Sequence, residues 1–147
     1  GHHGAGGVSW SQGDQDRRLH GLIRVGTVQE VDPNTAKARV TFGADTKSAW
    51  IPWAGRAGVI DEWSPPAVGE QVTIIAPGGD TAQGIIIGST PSNANPKRSQ
   101  DGEEYRVSIG ESFFSMTASR ILLSTNGSTL EMDAAGIRLN GVRIDLN

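Results

Sequence analysis

The chain has 147 residues, a formal net charge of −3 and no cysteine, and 36% of its residues are hydrophobic. The absence of cysteine excludes disulfides and thiolate metal sites. No apolar run approaches the ~18 residues that a membrane-spanning helix needs, and no apolar signal-peptide segment stands near residue 1.

Residues 1–19 are predicted to form a flexible leader. The first seven residues are rich in glycine and contain His2 and His3. A cloning scar or leader is the simpler interpretation, and a metal-binding N-terminus is the alternative. Two histidines on a glycine chain would lose much conformational entropy on binding a metal, which disfavours the alternative.

Residues 20–90 are predicted to form a small antiparallel barrel of the OB type, because five short strands alternate with Gly- and Pro-rich corners. Asp32 to Thr35 has the composition of a turn, so the first two strands should form a hairpin. Pro65 and Pro66 predict a loop where such barrels often carry a helix. Val25, Val28 and Val31 are expected to be available for the core. The predicted strands are Leu22–Val31, Ala36–Phe42, Ala49–Ala54, Gln71–Ala76 and Gln83–Gly88.

Residues 91–103 are predicted to be a linker, and residues 104–147 a ladder of short strands. Apolar residues occupy every second position of the ladder, which indicates strands with one buried face. Gly110, Asn126-Gly127 and Gly136 break the alternation and indicate turns. A few such strands are not stable alone, so several copies should pool their apolar faces. We expect these residues to face inward: Val107, Ile109, Phe114, Met116, Ile121, Leu123, Leu130, Met132, Ile137, Leu139, Val142, Ile144 and Leu146.

Several unusual motifs between residues 22 and 88 stand in an order typical of one family. They are Ile23-Arg24-Val25-Gly26-Thr27-Val28, Val31-Asp32, Trp50-Ile51-Pro52-Trp53, Arg56-Ala57-Gly58, the segment from Trp63 to Val72, and Pro77-Gly78-Gly79-Asp80. The chain resembles the baseplate assembly protein V family, the central spikes of P2-like contractile phage tails and of R-type pyocins.

The resemblance implies a homotrimer, in which an OB-fold collar is followed by a triple-stranded β-helix. Its partners would be the tail hub, tube and baseplate proteins. Sheath contraction would drive this spike through the outer membrane of the target cell, a mechanical role without enzymatic activity. The expected location is a virion tail baseplate or pyocin particle, assembled in the bacterial cytoplasm.

The chain departs from the family pattern at its apex. Many family members hold an iron ion with a His-x-His motif, whereas the histidines here are His2, His3 and His20. No cofactor is therefore expected in this chain, although an ion on the shaft axis remains open. Truncation is the expected reason for the missing apex, and a separate tip protein or a blunt spike are the alternatives.

The collar motif residues are expected to pack the barrel and its contacts with neighbouring copies. For the tryptophans, a stacking platform for bases or sugars is the alternative interpretation. Arg56 is expected to pair with Glu62 or Glu70, within the chain or across a subunit boundary. The collar residues are Trp50, Pro52, Trp53, Arg56, Trp63, Gly69 and Glu70.

Two other functions stay open beside the spike. One is an OB-fold protein that binds single-stranded nucleic acid, although acidic residues outnumber basic ones between residues 20 and 90 and phosphate binding needs the opposite sign. The other is a cell-wall glycan hydrolase using Asp61 and Glu62. Adjacent residues of an extended chain point in opposite directions, which argues against that carboxylate pair.

Overall fold

The computed structural model describes residues 22–43 and 46–147, and the predicted leader and all three histidines lie outside these ranges. The chain divides into two compact units, residues 1–96 and 97–147. Short 3₁₀ turns occur at Pro77–Gly79 and Thr81–Gln83. The strands are β1 (Ile23–Asp32), β2 (Lys37–Thr41), β3 (Ile51–Pro52), β4 (Gln71–Ile75), β5 (Ile85–Thr90), β6 (Tyr105–Ile109), β7 (Ser112–Met116), β8 (Ile121–Thr125), β9 (Ser128–Asp133) and β10 (Gly136–Asn140).

The strands of the first unit form a curled sheet in the order β3-β2-β1-β4-β5. A parallel bridge joins Trp53, just after β3, to Ile86 on β5. The amide of Ala54 also donates to the carbonyl of Ile86 at 2.8 Å. These bonds bring the two ends of the sheet together, as in an OB barrel. The all-β assignment is therefore confirmed, and the curled sheet is consistent with the predicted OB-type fold.

The predicted hairpin of β1 and β2 is confirmed by its antiparallel register. Asp32 fixes its turn, because the carboxylate accepts hydrogen bonds from the amide of Asn34 (3.0 Å) and the hydroxyl of Thr35 (2.9 Å). A register shift between Val28 and Glu30 inserts an extra residue into β1. The bulge places Val28 and Val31 against the same core although they are three residues apart.

Val25 does not belong to the core, so that expectation is wrong. It precedes the bulge, and normal alternation therefore directs its side chain outward while Gly26 and Val28 face the interior. The core cluster consists of Val28, Ala38, Val40, Ile51, Val72, Ile74 and Ile86.

Gly26 of the first motif is required by close packing beneath β2. A Cβ atom at this position would stand 2.6 Å from the carbonyl oxygen of Thr41 and 2.6 Å from a methyl carbon of Val40. No side chain fits at these distances, so the barrel needs glycine here for space rather than for an unusual φ angle.

The second unit is an antiparallel meander in the order β10-β9-β8-β7-β6. The predicted breaks are its turns: Gly110 follows β6, Asn126-Gly127 joins β8 to β9, and Gly136 opens β10. Asn126 and Gly127 both have positive φ (47° and 92°), as a two-residue hairpin with the favoured twist requires.

In the single chain, the ladder of strands ends before Val142, Ile144 and Leu146, and their place in the interior of a trimer stays a prediction. The last strand ends at Asn140, and residues 141–147 pair with no strand. Asn140 pairs with Thr129, so Gly141 reaches the level of Ser128, where β9 begins. Beyond that level β9 offers no backbone to pair with, because the chain there is already in the preceding turn.

Candidate assembly surface

One face of the second unit carries the apolar residues in two continuous rows that cross all five strands. The register aligns each row member with a member on the next strand. Alternation then keeps both rows on the same face of the sheet. The first row is Tyr105, Met116, Ile121, Met132 and Ile137, and the second is Val107, Phe114, Leu123, Leu130 and Leu139.

These rows are largely uncovered in the single chain. Leu139 is 54% exposed and Ile137 is 70% exposed, although both stand in regular strands. In residues 97–147, all of which the structure describes, no hydrophobic side chain is fully buried. The sheet thus has a hydrophobic face that its own chain does not cover, which marks it as an interaction surface.

The second row forms the floor of an open groove of about 560 Å³. Ile109 extends this groove at one strand end, and Ile144 reaches it from the segment after β10. Ile144 therefore lies with the apolar rows despite the absence of a strand there. Val142 and Leu146 do not line the groove and are exposed.

The opposite face of the same sheet is polar and better covered. Ser115 on β7 is completely buried there, and its hydroxyl donates to the carboxylate of Glu104 at 2.5 Å. Arg106 stacks on the ring of Phe113 at 3.8 Å from the ring centroid and donates to the hydroxyl of Ser108 at 3.0 Å.

The carboxylate of Glu104 is the most covered charge of this polar face, with its side chain only 10% exposed. Hydrogen bonds from Ser115 and Ser99, together with the positive charges of Arg106 and Arg120, hold the pKa of Glu104 below its ordinary value. The alternation of the ladder does not predict this contact, because Glu104 precedes β6 and its partner Ser115 lies on β7.

A second charged cluster joins β9 and β10 on the polar face. Arg138 binds Asp133 through two hydrogen bonds (2.6 and 3.2 Å) and Glu131 through a third (2.9 Å), and Arg120 adds a contact to Glu131 at 3.6 Å. Arg138 holds the pKa of Asp133 below its ordinary value. The short turn before Gly136 places residues 131 and 138 opposite each other on neighbouring strands. That turn was predicted from the sequence, but the ion pair that follows from it was not.

The collar tryptophans divide between packing and exposure. Trp53 packs against the barrel core, and Trp63 meets it edge to face with the ring centroids 5.7 Å apart. Trp63 remains largely exposed, as does Pro52. Trp50 lies at the surface beneath the guanidinium of Arg39, at 5.1 Å. Trp50 and Trp63 thus each make one contact within the chain and remain partly open to solvent.

Gly69 and Glu70 connect β1 to the start of β4. The amide of Gly69 donates to the carbonyl of Val28, and the amide of Val28 donates to the carbonyl of Glu70, each at 2.9 Å. Gly69 has a φ of 90°, which favours glycine. The Glu70 carboxylate accepts from the amide of Ala67 at 3.2 Å and so stabilises the turn.

The expected ion pair of Arg56 within the chain is wrong. Neither Glu62 nor Glu70 lies within ion-pair distance of its guanidinium. Glu62 instead donates its amide to the carbonyl of Arg56 at 2.9 Å, and Glu70 is engaged at its own turn. A pair across a subunit boundary remains a prediction.

Within residues 22–43 and 46–147, no three His, Cys, Asp or Glu side chains are grouped closely enough to hold a metal ion. In the same ranges, no helix is both long enough and apolar enough to cross a bilayer.

Comparison with known proteins gives two matches. The family model of the type VI secretion system/phage-baseplate injector OB domain matches residues 24–90. The spike protein of Escherichia phage P2 is 34% identical to this chain over 92 residues, which are 62% of this chain and 43% of that protein. This chain therefore spans less than half of the length of that relative.

The matched residues coincide with the curled sheet, whose strands run from β1 at Ile23 to β5 at Thr90. The resemblance inferred from the motifs is thereby confirmed. Residues 24–90 of this chain therefore resemble the OB domain of phage-baseplate injectors, and the chain is similar to a phage spike protein over part of its length.

Proposed function

We propose that this chain forms the central spike of a contractile phage tail or R-type pyocin and acts as a homotrimer. The OB domain would join the spike to the tail hub, and residues 104–147 would form the shaft. The observation that carries the proposal is the apolar face of the second unit, which is regular in register yet uncovered in one chain.

Three copies related by a three-fold axis would cover this face. Each sheet would turn its two apolar rows toward the axis, and the rows of the three copies would pack against one another. The charged clusters of Arg106 and Arg138 lie on the other face and would point to solvent. The polarity of the two faces therefore fits a triple-stranded β-helix with an apolar interior.

The register also sets the dimensions of the proposed shaft. Strands of one sheet lie ~4.8 Å apart, so the five strands would make layers over roughly 20 Å of the axis. Each layer would contribute one residue from each row of each copy. Val142, Ile144 and Leu146 would extend the interior beyond β10 once neighbouring copies supply backbone partners.

The proposed action is mechanical, and its requirement is stiffness. Burial of one Leu, Ile or Val side chain contributes ~1.5–3 kcal/mol, and each copy would bury about a dozen such residues. The resulting gross burial term of tens of kcal/mol for each copy would resist local opening while the shaft crosses an outer membrane. Assembly with hub, tube and other baseplate proteins would place the spike at the tail of the particle.

Two adjacent residues of β10 provide a matched test. Leu139 and Asn140 are both exposed in the single chain but lie on opposite faces of the strand. In the proposed trimer, Leu139→Asp would bring three carboxylates close to the axis without partners, whereas Asn140→Asp would leave them in water. We expect Leu139→Asp to abolish the trimer and Asn140→Asp to preserve it.

The molar mass of the purified chain, measured by light scattering, checks this expectation. The unmodified chain should have three times the 15.5 kDa mass of one copy. A monomeric unmodified chain would refute the proposed assembly. Equal behaviour of the two variants would show that the apolar face does not form the interior.

A further inference from the structure

The second unit contains the dipeptide Asn-Gly twice, as Asn126-Gly127 and as Asn140-Gly141. Asparagine followed by glycine is especially prone to spontaneous deamidation, because glycine has no side chain to shield its backbone nitrogen. In this reaction the nitrogen of glycine attacks the side-chain carbonyl carbon, Cγ, of asparagine. The dipeptide is the same at both places, so the backbone around it sets how readily each pair reacts.

Ring closure between the two residues requires a rotation about the Cα–C bond of asparagine. The nitrogen of glycine must come beside the Cβ atom of asparagine, an arrangement that neither a regular strand nor a left-handed turn provides. The backbone must therefore open locally before either pair reacts, and the free energy of that opening controls the rate.

The first pair is held in a closed hairpin turn. Asn126 and Gly127 have positive φ angles of 47° and 92°, and they stand between Thr125 and Ser128, which pair with each other. The Asn126 carboxamide donates to the hydroxyl of Thr125 at 3.1 Å, and that hydroxyl lies 2.6 Å from the hydroxyl of Ser112 on β7. Rotation at Asn126 would thus break the hairpin of β8 and β9 together with these side-chain bonds.

The second pair stands where the regular strand ends. Asn140 is the last residue of β10 and pairs with Thr129, while residues 141–147 pair with no strand in the part of the chain that the structure describes. Rotation at Asn140 would move this unpaired segment and leave the rest of β10 in register with β9. The Asn140 side chain is exposed and lies on the polar face, opposite to Leu139.

We propose that Asn140 is a site of spontaneous deamidation in the folded chain, whereas the hairpin turn protects Asn126. The Gly141 nitrogen gives up its proton and bonds to Cγ of Asn140, and the amide group leaves with that proton as ammonia. Water then opens the resulting cyclic imide to aspartate or to isoaspartate. Neither site depends on the proposed trimer, since both are formed within one chain.

Both products would change the end of β10. Aspartate adds a negative charge on the polar face, where water solvates it. Isoaspartate also adds a methylene group to the main chain, which would shift the apolar alternation of Val142, Ile144 and Leu146 relative to β10. Deamidation at this position therefore acts on the segment that continues the apolar pattern beyond the last strand.

Peptide mass mapping separates the two sites, because trypsin, which cleaves after arginine, releases them in the peptides 121–138 and 139–143. The purified chain is incubated in mildly alkaline buffer, and the mass increase from replacement of NH2 by OH is followed over time. A sample digested without incubation gives the background. We expect Asn140 to convert roughly ten times faster than Asn126, which corresponds to ~1.4 kcal/mol of additional opening free energy at the turn.

Two controls assign the difference to the fold and to ring closure. In denaturant, both sites should convert at similar rates. Gly141→Ala should slow conversion of Asn140 severalfold and leave that of Asn126 unchanged, because the added methyl group shields the attacking nitrogen. A Cβ atom at this position would lie 3.3 Å from the hydroxyl oxygen of Ser128, whose side chain can rotate away.

Three results would overturn the proposal. Equal rates in the folded chain, or faster conversion of Asn126, would show that the turn gives no protection. A difference that persists in denaturant would assign it to the neighbouring residues rather than to the fold. Conversion of Asn140 that Gly141→Ala does not slow would exclude attack by the Gly141 nitrogen.

Discussion

The two units of this chain are both built from five antiparallel strands, yet they bury their residues in opposite ways. The OB unit encloses Val40, Ile51, Val72 and Ile74 without any exposed surface. In the second unit, the only fully buried residue is Ser115, a polar one. The apolar residues there are aligned as regularly as those of the barrel, but they face open space.

The difference lies in closure of the sheet rather than in its strands. The bridge between Trp53 and Ile86 joins the two ends of the first sheet, so that its inner face becomes a core. The second sheet is an open meander with β6 and β10 at its edges. A single chain thus completes the core of the first unit, whereas the apolar face of the second unit stays open in one chain.

Removal of core volume from the barrel should give the largest effect and should remain confined to the first unit. Ile74→Ala deletes a completely buried side chain, and such deletions cost ~2–5 kcal/mol of unfolding free energy. All four tryptophans precede residue 97, so their fluorescence reports this unit. Denaturant unfolding followed by fluorescence should show the loss, and light scattering should show an unchanged oligomer. Loss of the oligomer would show that the two units are not independent.

Dilution of the protein should lower the apparent stability of the second unit and leave that of the first unit unchanged. If unfolding of residues 97–147 separates three copies, a tenfold dilution lowers their apparent stability by about 2.7 kcal/mol for each trimer, twice the ~1.4 kcal/mol that corresponds to a factor of ten. Far-ultraviolet circular dichroism at two concentrations should therefore show one transition that moves and one, matching the fluorescence, that does not. Two transitions whose positions do not change with protein concentration would show that unfolding of the second unit does not separate copies.

The amino-acid sequence predicted the parts of this fold that depend on local patterns. Alternation located the apolar rows, and glycine and asparagine located the turns, because both signals act over a few residues. The motif order also led to the family whose OB domain matches residues 24–90. The strand bounds shifted by a few residues, as when β5 began at Ile85 after a short 3₁₀ turn.

The failures concern partners that are distant or absent. The core placement of Val25 was wrong because it stands three residues before Val28 with no bulge between them, whereas a bulge after Val28 brings Val31 to the core. In one chain, residues 142–146 form no strand, since β9 begins opposite Gly141 and offers them no backbone, so their role in the shaft stays a prediction. Glu62 lies opposite Arg56 in a backbone pair, yet its carboxylate is beyond ion-pair distance of the guanidinium. Periodicity contains none of this pairing information.

The smallest predicted effect concerns the polar face, the only place where the second unit buries a group by itself. The Ser115 hydroxyl is the main cause of the lowered pKa of Glu104. A carboxylate with a lowered pKa stabilises the fold above its unfolded pKa, and this stabilisation disappears as the pH falls through the lowered value. Ser115→Ala should therefore raise the pKa of Glu104 toward its ordinary value and weaken the acid-dependent part of the stability.

Carboxyl-carbon NMR titration of Glu104 measures this shift directly. Ser124→Ala is the matched control, since Ser124 lies on the same face and makes no hydrogen bond to Glu104. An unchanged pKa in Ser115→Ala would assign the lowered value to Ser99, Arg106 and Arg120 instead, and salt would raise it by screening only if the two arginines are the cause. A shift in Ser115→Ala alone would show that the covered polar face is organised within one chain, in contrast to the apolar face behind it.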